Sequence, residues 1–164
     1  DQYQRRRIAM AKLSSSQKGS IAEAKVLSAL VDLGGRVSIP FDDDCPYDLI
    51  LDYNGRLFRL QIKWASEGIR GSIVIPTSWR GDGRGTRQNY AAGRTVDAFV
   101  AYCPDSDLCY IIPHAEATER ATSLRIKKPR NNQRQGVRFA EDYELSRMIE
   151  KLGTIPTADP QPWV

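Results

Sequence analysis

The dipeptide Asn54-Gly55 lies between two runs of alternating apolar residues, and it constrains this chain more than any other feature. A two-residue hairpin turn needs positive φ at its central positions, which Asn and Gly tolerate best. With Asn54 and Gly55 at the corner, Tyr53 faces Arg56, and pairing steps outwards through Leu51 with Phe58, Leu49 with Leu60 and Tyr47 with Ile62. Side chains alternate along a strand, so these pairs share one face and make it apolar. The other face sets Asp52 against Leu57, Ile50 against Arg59 and Asp48 against Gln61, with Lys63 diagonal to Asp48. Register alone therefore gathers a carboxylate, a carboxamide and an ammonium at the open end of a hairpin over residues 47–64. A half-exposed antiparallel sheet can carry such a polar face without function. Ile50 and Leu57 share that face, however, and predict a cover.

Residues 14–33 read as a helix stopped by Gly34-Gly35. Glu23, Val26, Leu27 and Leu30 follow an i, i+3, i+4, i+7 stripe, which makes this helix the expected cover of the polar face. Glu23 is then a carboxylate on the apolar side of a helix, where burial costs free energy unless the charge is paired or bound to a metal. A competing reading has Ser20 cap the helix, with Glu23 reaching back as its capping-box partner. That reading needs the helix to begin at Ser20, whereas Ser14, Ser15 or Ser16 can cap it a turn earlier.

Elsewhere, residues 37–40 and 72–76 read as strands, 41–46 as an acidic loop and 78–93 as a Gly/Arg loop. Residues 96–103 and 108–113 form a second hairpin across Pro104-Asp105-Ser106-Asp107, a turn composition. A short helix is expected at 115–121. A longer one at 139–152 has Leu145, Met148, Ile149 and Leu152 on one stripe. Trp79 and Tyr90 are expected to fill core. The order of elements predicts an α/β fold of the α+β kind, with a mixed central sheet flanked by helices. The 164 residues fit one domain over 14–152, between a basic N-terminal arm at 1–13 and a Pro-rich extended tail at 153–164.

Net charge is only +4, but its distribution is uneven. Arg5, Arg6 and Arg7 lead the chain; Arg80, Arg84, Arg87 and Arg94 lie in the Gly-rich segment. The stretch 120–138 carries Arg120, Arg125, Lys127, Lys128, Arg130, Arg134 and Arg138 with no carboxylate. Three patches of one sign on a nearly balanced chain suit a polyanion partner. No apolar run is long enough to span a membrane. Three cysteines without a CxxC pair, and His114 as the sole histidine, remove zinc fingers and Cys/His nucleophile sites. The odd cysteine count points to free thiols in a reducing, intracellular compartment, the cytoplasm or nucleoid. Any chemistry must run on carboxylates, lysine and a hard metal.

These residues reach a family. Gly19-Ser20-Ile21-Ala22-Glu23, then Pro46-Tyr47-Asp48-Leu49, then Gln61-Ile62-Lys63, resemble the PD-(D/E)XK nuclease superfamily. Within it the chain looks most like the branch containing a group I intron-encoded homing endonuclease. Val96-Asp97-Ala98-Phe99-Val100-Ala101-Tyr102 and Tyr110-Ile111-Ile112-Pro113 are similar to that branch too, so the resemblance covers about residues 14–115. The pattern calls for an acid where this chain has Gln61, which takes one negative charge from the site but still offers a carbonyl oxygen to a hard cation. The same branch has this Gln-x-Lys variant.

The resemblance implies a Mg2+-dependent endonuclease, with Mn2+ as a substitute and no small-molecule cofactor, that cuts double-stranded DNA at a specific sequence. It implies Asp48 as principal metal ligand, Gln61 and the Ile62 backbone carbonyl completing the protein side, and Glu23 orienting a second metal or its water. Lys63 would position the attacking water or stabilise the pentacovalent phosphate. The three basic patches would hold DNA, with arginines of the Gly-rich loop suited to base reading. A homodimer or homotetramer is implied, since one site cuts one strand. Two other readings compete: a Holliday-junction resolvase or a restriction or repair nuclease of the same superfamily, and a catalytically inactive DNA-binding domain, which Gln61 permits. Binding of structured RNA is disfavoured because the sheet lacks aromatic stacking pairs.

Overall fold

A computed structural model describes residues 5, 8–10, 12–42, 45–68, 71–80, 87–88, 95–127 and 136–154. Helix α1 (Ser15–Asp32) is capped by Ser14: the Ser14 hydroxyl accepts from the Gln17 N–H, and the Gln17 side chain accepts from the Ser14 N–H. This reciprocal capping box settles the helix start a turn and a half before Ser20 and frees Glu23 from any capping duty. Gly34 ends the helix at φ +87°, and Gly35 follows where a Cβ would lie 2.5 Å from Leu51 Cδ1, so only glycine lets the chain pass this close.

The main sheet is five-stranded: β1 (Arg36–Ser38), β2 (Leu49–Tyr53), β3 (Arg56–Trp64), β8 (Ala98–Cys103) and β9 (Leu108–Pro113), in that order. The β3–β8 pair is parallel and the other three are antiparallel, which makes the sheet mixed as expected. The Asn54-Gly55 corner has φ of 51° and 74°, and the hairpin takes the register derived above, from Tyr53 opposite Arg56 to Leu49 opposite Leu60. A second sheet has the order β10 (Ala121–Arg125), β5 (Ser72–Pro76), β4 (Ser66–Gly68). A two-stranded ribbon joins β6 (Trp79–Arg80) to β7 (Arg87–Gln88).

The covers of the two sheet faces reverse the expectation. Helix α1 buries Ala22, Val26 and Leu30 against Leu49, Leu51, Phe58, Leu60 and Ile62, the apolar face of the hairpin. Each Val, Leu, Ile or Phe side chain among these contributes about 1.5–3 kcal/mol when taken fully from water. The polar face of the sheet is covered by the second sheet instead: Ile73, Ile75 and Leu124 pack on Phe99, Ala101, Cys103, Tyr110 and Ile112. That cover stops short of the hairpin corner, where Leu57 is 64% exposed. All six residues of β8 are buried because both its faces are packed.

Two local expectations also change. The short helix at 115–121 is a 3-10 turn at His114–Glu116, followed by strand β10. The alternation of buried Thr122 and Leu124 with exposed Ser123 carries that strand. The C-terminal helix is broken into a 3-10 turn at Ala140–Asp142, one turn of α2 (Leu145–Met148) and a 3-10 segment at Ile149–Thr154. Its predicted stripe of Leu145, Met148, Ile149 and Leu152 is buried all the same. Among the described residues no helix is long and apolar enough to cross a membrane.

Candidate active site

Asp48 stands one residue before β2, at the open end of the hairpin. Its N–H donates to the Leu60 carbonyl at 2.9 Å, and its side chain turns back onto β3. One oxygen, Oδ2, accepts from the Ile62 N–H at 2.6 Å and from Gln61 Nε2 at 2.6 Å. Gln61 is buried, 8% exposed, so an unpartnered amide there would cost about 1–3 kcal/mol. Lys63 is half-buried on the same face, close enough for Asp48 to act on its charge. Alternation along β3 turns the N–H and C=O of Ile62 to the edge where Asp48 sits, so the Ile62 carbonyl faces the same space as the carboxylate.

Glu23 is exposed on the flank of α1, off the buried Ala22/Val26/Leu30 line. The stripe read from the sequence placed it among those apolar residues; the structure moves it to their border. From there its carboxyl lies in range of the Asp48 charge. Burial first, then that like charge, raises the Glu23 pKa above its ordinary value. Burial likewise raises Asp48, partly offset by the Ile62 N–H and by the Lys63 charge. Burial lowers Lys63, with Asp48 acting the other way. A site that strains two carboxyls towards the neutral form gains most when a cation arrives.

The donor set fits a hard divalent cation. Among the described residues no cluster of three or more His, Cys, Asp or Glu could hold a metal. The protein side is limited to two carboxylates and carbonyl oxygens, which matches the way Mg2+ is held by one or two carboxylates with water making up the remainder.

The sequence-derived residues Glu23, Asp48, Gln61 and Lys63 thus come together, with Ile62 between the last two. The basic residues are described only in part. Arg5 is exposed in a helical turn, and Lys127 is exposed just after β10. Arg80 and Arg87 are backbone partners across the β6–β7 ribbon. Arg6, Arg7, Arg84, Arg94, Lys128, Arg130 and Arg134 lie outside the described residues, as does Tyr90.

One pair went unread in the sequence. Arg59 lies on the same face of β3 as Gln61 and Lys63, and its N–H donates to Asp97 Oδ2 at 2.7 Å while its guanidinium Nε stands 3.5 Å from the same oxygen. The Asp97 N–H returns a bond of 2.8 Å to the Arg59 carbonyl, and Asp97 is only 2% exposed. The signal was available: an arginine at an inward position of a central strand requires a carboxylate near it.

Comparisons with other proteins bear on the fold and the family. The described architecture is similar to that of a bacterial homing endonuclease, I-Ssp6803I, with a TM-score of 0.68 at 23% identity over 87% of this chain and 97% of that one. None of the curated proteins compared with the chain matches it. The family model for PD-(D/E)XK endonucleases matches residues 13–146, a span that begins just before the Ser14 cap and takes in every residue of the Asp48 site. This chain belongs to the PD-(D/E)XK endonuclease family.

Proposed function

We propose that this nuclease is a sequence-specific endonuclease that cuts both strands of DNA in the presence of Mg2+, with a homing role of the intron-encoded kind. The observation that carries the reading is the meeting of Asp48, Glu23, Gln61 and Lys63 at the open end of one hairpin. The fold shared with a bacterial homing endonuclease supports the homing role.

Asp48, the Ile62 carbonyl and Glu23 would hold the cation, with Gln61 in contact with Asp48. A bound Mg2+, or Mn2+ in its place, supplies a lowered water pKa and a grip on a phosphate oxygen. Glu23, at the solvent side, orients the attacking water towards the phosphate. Lys63 stands beside the reacting centre and stabilises the charge that grows on the pentacovalent phosphate. Arg80 and Arg87, which pair across the β6–β7 ribbon, would read base edges, since arginine can take guanine by a bidentate grip. Lys127 and the remaining arginines would contact phosphates. Cutting both strands requires two copies of the site, hence a homodimer or homotetramer facing a roughly palindromic target.

Cleavage of a pooled duplex library with Mg2+, read by mapping the ends, tests this reading. Cuts at one recurring sequence are expected. Preference for four-way junctions without sequence preference would replace the reading with a resolvase. DNA binding without cleavage, and without Asp48-dependent uptake of Mg2+, would replace it with an inactive DNA-binding domain.

A further inference from the structure

The glutamine of the Gln-x-Lys run stands where a metal-binding acid is expected, and its amide points at the neighbouring carboxylate. Gln61 Nε2 and the Ile62 N–H converge on a single oxygen, Asp48 Oδ2, both at 2.6 Å. A carboxamide oxygen brought that near an ionised carboxylate oxygen would be repelled, so only the N–H edge of Gln61 suits the contact. With Oδ2 engaged twice, Oδ1 is the oxygen that these two donors leave over for a cation. An acid at position 61 could not make this bond; it would set a second negative charge 2.6 Å from the first.

We propose that Gln61 is a positioning residue and not a metal ligand: its amide N–H and the Ile62 N–H clamp Oδ2 of Asp48, so that Asp48 Oδ1 and the Ile62 carbonyl are what β3 and its partner present to one hard cation. This rests on the nuclease reading above and narrows it to a site whose protein ligands are Asp48, Ile62 and Glu23. The missing acid is then no defect to be made good by a glutamine carbonyl. Its place is taken by a donor that fixes the rotamer of the one carboxylate that matters most.

The test is solution NMR of the full-length chain with labelled glutamine side-chain amides and labelled aspartate carboxyls, titrated with Mg2+. The Gln61 signals are assigned by their loss in Gln61→Met. The Gln61 amide protons should exchange with water about tenfold or more slowly than those of exposed Gln17, as a charge-assisted bond requires. That protection should persist while the Asp48 carboxyl carbon shifts as Mg2+ binds. Loss of protection with a Gln61 carbonyl-carbon shift as large as that at Asp48 would show the amide turning to coordinate the metal, and would overturn the proposal. Absence of any Mg2+-dependent shift at Asp48 would instead remove the metal reading, and the proposal with it; the two failures are reported by different residues.

Discussion

Two aspartates dock on β3 from its two sides, and only one of them has the makings of a reactive group. Asp97 approaches from the β8 side, takes the Arg59 N–H at 2.7 Å, and sets its carboxylate beside the Arg59 guanidinium at 2% exposure. Asp48 approaches from the β2 side, takes the Ile62 N–H at 2.6 Å, and sets its carboxylate beside the Gln61 amide. The backbone bond is the same; the side-chain partner differs. A guanidinium cancels the charge of Asp97 and makes the pair a brace at the start of β8. An amide orients Asp48 without cancelling its charge, and leaves that charge to attract a cation. Under the proposed function, one strand uses the same carboxylate-to-backbone bond for structure at Arg59 and for chemistry at Ile62.

The largest effect that would break this contrast belongs to Asp48. Asp48→Asn should lower the rate of DNA cleavage by ~10³-fold or more, the several kcal/mol a bound metal contributes to the barrier. DNA affinity measured without metal should hardly change. A rate within tenfold of the parent would erase the distinction between the two aspartates. Lys63→Ala comes next: cleavage should fall by ~10²–10³-fold, as for other removed charge stabilisers, while a binding isotherm stays near that of the parent. Loss of binding as large as the loss of cleavage would move Lys63 to an anchoring role.

Asp97→Asn should show the opposite profile. Breaking a pair in which Arg59 keeps 23% exposure of its side chain should lower the melting temperature by about 5 °C, with far less loss of cleavage per folded molecule than at Asp48. Equal loss of cleavage in the two variants would make Asp97 part of the reacting centre.

The smallest effect is on pH dependence. Glu23 and Asp48 hold protons in the folded chain that the unfolded chain releases at its ordinary carboxyl pKa values, 4.5 and 3.8. Stability without metal should therefore fall as pH rises from those values through the raised ones. Lys63 acts in reverse: its folded form gives up a proton below 10.5, so its cost fades as pH climbs through the lowered value. A cation must displace the carboxyl protons. The rise in melting temperature on adding Mg2+ should then be greater by a few degrees at about pH 8 than at about pH 5, and absent in Asp48→Asn. An equal rise at both pH values would contradict the carboxylate site.

Much of this arrangement could be read from the chain itself because Asn54-Gly55 fixes where counting starts. Once the corner is set, the pairing of Leu51 with Phe58 and the placing of Asp48 beside Gln61 follow from a period of two. What covers each face does not follow, because a helix stripe and a sheet face carry no information about which partner each meets. Glu23 shows this. Its i, i+3 spacing to Val26 put it with the apolar residues, but Ala22 fills that place and Glu23 rides beside it. The strand at Ala121–Arg125 was hidden by its charge, since a segment read as a basic stretch also alternates Thr122 and Leu124 inwards. The Arg59–Asp97 pair was not legible because its partners lie 38 residues apart, and nothing in the sequence names which acid an inward arginine meets.

The Asn54-Gly55 corner also acts as a ruler. Five residues separate it from Asp48, and each one turns the next side chain through the sheet. An insertion or deletion of one residue in that stretch would swing Asp48 into the layer held by Val26 and Leu30, and would send Leu49 and Leu51 to the other side. Length changes there are tolerable only in twos, whereas the far side of the corner bears the same rule for Gln61 and Lys63. The hairpin is thus a part in which spacing is constrained as tightly as the residues at its corner and its open end.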